Sequence, residues 1–224
     1  MNYDIEPQKN FEGVILPEMN PIHTGQTIMK FEAPPEYAER LNVLYDEGMV
    51  ENKFPLNDEQ THIVAGTYLN DDCSPIENHN FIPDDIHEWV KDRIHQYLQV
   101  LMWPYYGIKT HVAWINDYGA GEYQPVHMHE GSLTQKEGLV GMLTLKVPEN
   151  MDRETKNEKP ENVRNGFLEF MTGTSRQFAH DQVELLLNPS DFLVFPYDMF
   201  HCVYPHFNQN ETRRTMPVNV DVFM

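Results

Sequence analysis

Hydrophobic and polar positions along this chain change their period near Pro104. Before it, apolar residues recur at helical spacing in two places. Over residues 34–45, Tyr37, Leu41, Leu44 and Tyr45 fall on one helical face, and Gly48 is expected to end that helix. A second helix is predicted from Pro83 through Ile86, Trp89, Val90, Ile94, Tyr97, Leu98 and Leu101, with Asp84 and Asp85 at its amino end where the helix dipole favours negative charge. Beyond Pro104 the pattern breaks into short alternating or apolar runs at 111–116, 139–147, 166–171, 183–187, 192–195, 202–204 and 215–223. Turn-forming Gly, Pro, Asn and Asp lie between them. Short strands without intervening helices favour an antiparallel barrel or double-sheet jelly roll over a parallel sheet. The fold class expected is therefore mostly β with flanking helices, a cupin-like jelly roll buttressed from outside by the N-terminal helices. The polar stretch 148–165 reads as a long loop between two strands.

Length refines this picture to one domain over 1–224, with 1–105 as a helical and irregular support and 106–224 as the barrel. No apolar run is long enough to cross a bilayer, and the amino terminus lacks the basic start and apolar stretch of a signal peptide. Two cysteines, Cys73 and Cys202, make no disulfide framework, so a reducing, cytoplasmic setting is expected. The formal charge of −19 disfavours binding to phosphate backbones or anionic membrane surfaces.

The chemistry concentrates in His127-Met128-His129-Glu130, in His201 and in the run that begins at Arg213. Imidazoles two residues apart on an extended strand share a side, and a third from a distant strand can close a facial set around one divalent metal, leaving positions open for small molecules. Spacing alone leaves a surface pair open, because the chain holds 11 histidines. Arg213, Thr215, Pro217 and Asn219 alternate onto one strand face, where an inward guanidinium would need an anion; a solvated Arg213-Arg214 pair is the plainer alternative. Arg214 takes the inward role if the register shifts by one. Cys202, next to His201, reads as a small buried residue on the opposite face.

The surroundings of these histidines extend the pattern. Trp114 to Val126, containing Tyr118 and Gly121, precedes His127, and a run containing Ser190-Asp191 and Phe195-Pro196 precedes His201. Together they resemble the iron- and 2-oxoglutarate-dependent oxygenases, especially a bacterial and phage branch with a His-x-His first motif, over roughly Trp114 to the end. The resemblance implies a double-stranded β-helix, Fe(II) and 2-oxoglutarate as cofactors, and hydroxylation of a small-molecule or peptide substrate. It makes His127 the proximal and His201 the distal iron ligand, and Arg213, twelve residues beyond His201, the partner of the far carboxylate of 2-oxoglutarate. Thr215, Asn219 and the Tyr118 phenol would assist there. The sequence departs from the family at His129, which stands where an aspartate or glutamate is usual. Either His129 is the third ligand, or Glu130 supplies a carboxylate from a distorted strand. Two other readings keep the jelly roll: a three-histidine, cupin-like dioxygenase that needs no 2-oxoglutarate, and a binding protein without catalysis. The edge strands of a jelly roll also leave room for a homo-oligomer.

Overall fold

The structure is a computed structural model that describes residues 6–7, 25–50, 81–132, 135–149, 165–173 and 181–224. In chain order the elements are β1 (Glu6–Pro7), β2 (Met29–Glu32), α1 (Pro35–Val50), α2 (Asp84–Val100), β3 (Gly107–Ala113), β4 (Asn116–Tyr118), β5 (Gln124–His127), β6 (Gly138–Lys146), β7 (Leu168–Met171), β8 (Gln182–Leu185), β9 (Asp191–Pro196), β10 (Phe200–Val203) and β11 (Arg213–Phe223). All strand pairs are antiparallel. They form a major sheet in the order β1-β3-β11-β6-β9-β2, with β4 also on β11, and a minor sheet in the order β5-β10-β7-β8. These two sheets enclose the expected jelly-roll core.

Strand parity divides that core in two. In β6, Leu139, Leu143 and Leu145 face outward with Phe192 and Val194 of β9 and Met216, Val218, Val220 and Val222 of β11, and the helices cover them. Helix α2 contributes Ile86, Val90, Ile94 and Leu98 at the 3.6-residue period. Val140 and Met142 face the other way, toward Leu168 and Phe170 of β7 and Val203 of β10. Because β6, β9 and β11 are covered on both faces, they read as nearly continuous apolar runs. On β11 the face turned to the minor sheet is largely polar instead, and its Arg213, Thr215, Asn219 and Asp221 are all buried.

Several boundaries differ from those expected, each for a physical reason. Helix α1 runs through Gly48 to Val50, a glycine inside a helix costing only about 1 kcal/mol relative to alanine. Its buried stripe is Ala38, Leu41 and Tyr45, while Leu44 stays exposed. The strand expected at 111–116 is two strands, β3 and β4; their pairing with β11 keeps one register across Pro217, from Tyr118 to Val112, and shifts between Asn219 and Val220. Pro217 accepts from the Trp114 amide but has no N–H to return, so the ladder lapses there. Strand β11 begins at Arg213 rather than Thr215. Residues 150–164 of the expected loop, and Cys73, lie outside the described residues.

Candidate metal centre

Strands β5 and β10 lie side by side with His127 directly opposite His201. Two residues separate Gln124 from His127, but only Cys202 separates their partners Val203 and His201, so β5 carries a one-residue bulge. Residues three apart on an ideal strand face opposite ways; the bulge returns Gln124 to the face of His127, and both line one small pocket. His129 lies just past the end of β5. Its N–H donates to the Tyr197 carbonyl at 2.9 Å, and its ring stacks on that of Trp114 with centroids 5.4 Å apart.

One ring nitrogen from each of His127, His129 and His201 falls within 4.8 Å of the others, and His129 Nε2 and His201 Nε2 are 3.3 Å apart. Donors on neighbouring corners of an octahedron, each about 2.1 Å from a metal, sit about 3 Å from one another. The opposite ring nitrogens are engaged. His127 Nδ1 donates to the Pro125 carbonyl at 2.8 Å and His201 Nδ1 to the Met199 carbonyl at 2.9 Å, which leaves each Nε2 with its lone pair toward the centre. His129 Nδ1 lies 2.9 Å from Asn219 Oδ1. Burial holds all three imidazoles neutral: His127 is lowered from its ordinary pKa, His129 to about 4 and His201 to about 3, with neighbouring histidines adding to the last two shifts. Neutral imidazoles with converging lone pairs are a divalent metal's donor set. Phe195 and Phe170 pack on His201, with ring centroids 5.1 and 5.6 Å away, and wall it in.

Arg213 and Arg214 have opposite fates. Arg214 turns the other way, meeting Asp117 of β4 at 2.9 Å and, on α1, Asp46 at 3.0 Å and Asn42 at 2.9 Å, with its guanidinium over the Tyr45 ring. That excludes it as the inward cation. Arg213 is 1% exposed, and its Nη1 and Nη2 have no hydrogen-bond partner among the described residues. Burial lowers its pKa to about 10. Two further buried acceptors, Asn116 Oδ1 and Thr144 Oγ1, also lack a partner there, and both residues pair directly with Thr215. Buried polar groups in folded proteins are nearly always satisfied; the Arg213 guanidinium calls for an anion and the Thr144 hydroxyl can donate to one, whereas Asn116 Oδ1 calls for a donor.

The remaining expected residues divide. Thr215 lines the same pocket as the three histidines. Tyr118 is buried directly opposite Arg213 and donates its phenol to Gln124 Oε1 at 2.7 Å; burial raises its pKa, so it stays a neutral phenol. Glu130, the alternative ligand, is exposed, and the clustered set is His127, His129 and His201. Asn219 was expected to meet the co-substrate. Instead its oxygen faces His129 and its nitrogen donates to the Glu130 carbonyl at 3.1 Å, so both ends of the amide are occupied. Gln124 and Asn116 are polar pocket residues the sequence reading missed, and the bulge in β5 is what places Gln124 there. A larger cavity between α2 and the ends of β6 and β11, walled by Leu98, Leu101, Leu139 and Val222, contains none of the three histidines. All three line the smaller pocket instead.

No family model matches the sequence, and no curated protein matches it. Solved structures do resemble the fold. They include a prolyl-4-hydroxylase from Pseudomonas putida, at 10% identity and TM-score 0.55, over 88% of this chain and 92% of that one. The 2OG complex of the viral collagen prolyl hydroxylase from Paramecium Bursaria Chlorella virus-1 matches at 14% identity and TM-score 0.51, over 88% and 96%. SnoK, a non-heme, alpha-ketoglutarate-dependent carbocyclase from nogalamycin biosynthesis, matches at 12% and 0.57, over 89% and 80%. At such identities the likeness is one of fold, and it reaches beyond the C-terminal half into the helical support.

Proposed function

We propose that this protein is an Fe(II)- and 2-oxoglutarate-dependent oxygenase that hydroxylates an organic substrate, a small molecule or a peptide, in the cytoplasm. The observation that carries the reading is the buried Arg213 guanidinium, left without a partner among the described residues, on the strand whose Thr215 and Pro217 line the histidine pocket. His127, His129 and His201 would hold the iron. When bound, iron and 2-oxoglutarate supply the oxidising power by coupling decarboxylation of the keto acid to activation of oxygen.

The chain's own residues do the rest. Three neutral imidazoles leave a dication uncompensated, and Arg213 adds one positive charge nearby, so a dicarboxylate is drawn to the space between them. Arg213 presents a planar fork to the far carboxylate, and Thr215 adds a hydroxyl donor. The Tyr118 phenol, kept protonated by burial, orients the Gln124 amide at the pocket wall. Trp114, Phe170 and Phe195 surround His129 and His201 with rings and keep water from the metal side. A three-histidine dioxygenase without co-substrate draws on the same all-imidazole set but gives Arg213 no ligand.

The test is turnover without substrate. Protein with Fe(II), ascorbate and 2-oxoglutarate in air should release succinate slowly, and Arg213→Ala should lose this at least tenfold while still binding iron. Equal succinate release from both proteins, or none from the iron-loaded wild type at saturating 2-oxoglutarate, would reject the proposal.

A further inference from the structure

His129 is held differently from its two neighbours. His127 and His201 each donate to a backbone carbonyl two residues earlier, whereas His129 meets a side chain ninety positions away. That side chain, Asn219, is 5% exposed on the inward face of β11. Its Nδ2 lies 3.1 Å from the Glu130 carbonyl oxygen, which can only accept. The amide is therefore oriented with its NH2 toward Glu130 and its Oδ1 toward His129. An amide oxygen likewise only accepts, so His129 carries its proton on Nδ1, and the Nε2 lone pair points at His201 Nε2, 3.3 Å away. Two lone pairs at that separation repel unless a cation lies between them.

We propose that Asn219 is the positioning residue that makes His129 a metal ligand. It selects the tautomer, holds the ring, and through the Glu130 carbonyl fixes the backbone from which the Glu130 carboxylate extends to solvent. The ligand set is thereby all imidazole. A neutral amide also leaves the metal's full positive charge in place, where an aspartate would have offset part of it. The inference rests on the histidine cluster being a metal centre and adds the reason why its third member is His129.

The experiment uses metal alone. Wild type, Asn219→Ala and Asn219→Asp are titrated anaerobically with Co(II) and Zn(II) against a competing chelator, without co-substrate. Asn219→Ala should bind 10- to 100-fold more weakly, the usual effect of losing a ligand's outer partner. Asn219→Asp, which keeps an acceptor for His129, should recover most of that loss. In Zn(II)-loaded wild type, long-range 1H–15N spectra should show His129 protonated at Nδ1 and bound through Nε2, a readout that needs no variant to fold. Metal on His129 Nδ1, or an Asn219→Ala protein that binds like wild type, would overturn the assignment of Asn219 while leaving the oxygenase reading intact. Failure of the wild type to bind either metal would remove both.

Discussion

Arg213 is the residue whose substitution separates stability from function. An unpaired buried cation costs stability until its ligand arrives, typically about 1–3 kcal/mol for an unsatisfied polar group. Arg213→Met, which fills the volume with an apolar chain, should therefore raise the melting temperature of the cofactor-free protein while abolishing its response to 2-oxoglutarate. A lower melting temperature with the response retained would show that Arg213 is already satisfied. The histidines make a pH prediction. Free histidine titrates near 6.5, but His129 and His201 in the fold take up protons only near 4 and 3. The unfolded chain thus binds more protons between those limits. Stability is fully present above about pH 6.5 and falls as pH drops through about 4 to about 3. Melting temperature of the metal-free protein should follow that course, and His201→Gln should flatten it; an unchanged slope in the variant would assign the acid sensitivity elsewhere. At this scale spacing put His127 and His129 on one side and parity offered Arg213 an inward place, but it was the family resemblance that singled out His201 and Arg213. The role of Asn219 was not legible, because parity says that an amide points inward without saying whether it meets a ring or a ligand.

Elements depend on close approaches between strands. A Cβ on Gly138, at the start of β6, would lie 2.2 Å from Tyr197 Cε2 and 2.5 Å from the Val220 carbonyl oxygen. Backbone on β11 cannot yield as a flexible side chain would, and Tyr197 is the residue whose carbonyl receives the His129 N–H. Gly138→Ala should destabilise the protein by about 1–3 kcal/mol, as overpacking does, and weaken metal binding as Tyr197 shifts. Unaltered denaturant melts and metal affinity would show that the strands can part there without cost. The long strands β6, β9 and β11 were legible because burial on both faces writes them as apolar runs. Short β4 and the bulged β5 were not: the first is set off by Pro217, which breaks a ladder only once its partner strands are known. The second departs from period two within four residues, too few for alternation to register.

Across the whole molecule the site joins the two sheets. His127 and His201 belong to the minor sheet, and Arg213 and Asn219 to β11 of the major one. Antiparallel architecture and external helices were readable from the change of period at Pro104. The partner of α1 was not, since the contact of Arg214 with Asp46, Asn42 and Tyr45 requires the fold to bring β11 under that helix. No helix among the described residues is long and apolar enough to cross a membrane. Given the acid excess of the chain, the proposed iron and Arg213 would be the positive centre that draws a dianion. The most direct test follows from that bridging geometry. Metal-free protein is titrated anaerobically with Fe(II) and then 2-oxoglutarate, and the visible metal-to-ligand charge-transfer band is recorded for wild type and Arg213→Ala. A band that develops in wild type and needs far more 2-oxoglutarate in Arg213→Ala is the predicted result; iron binding with no band at saturating 2-oxoglutarate would contradict the account.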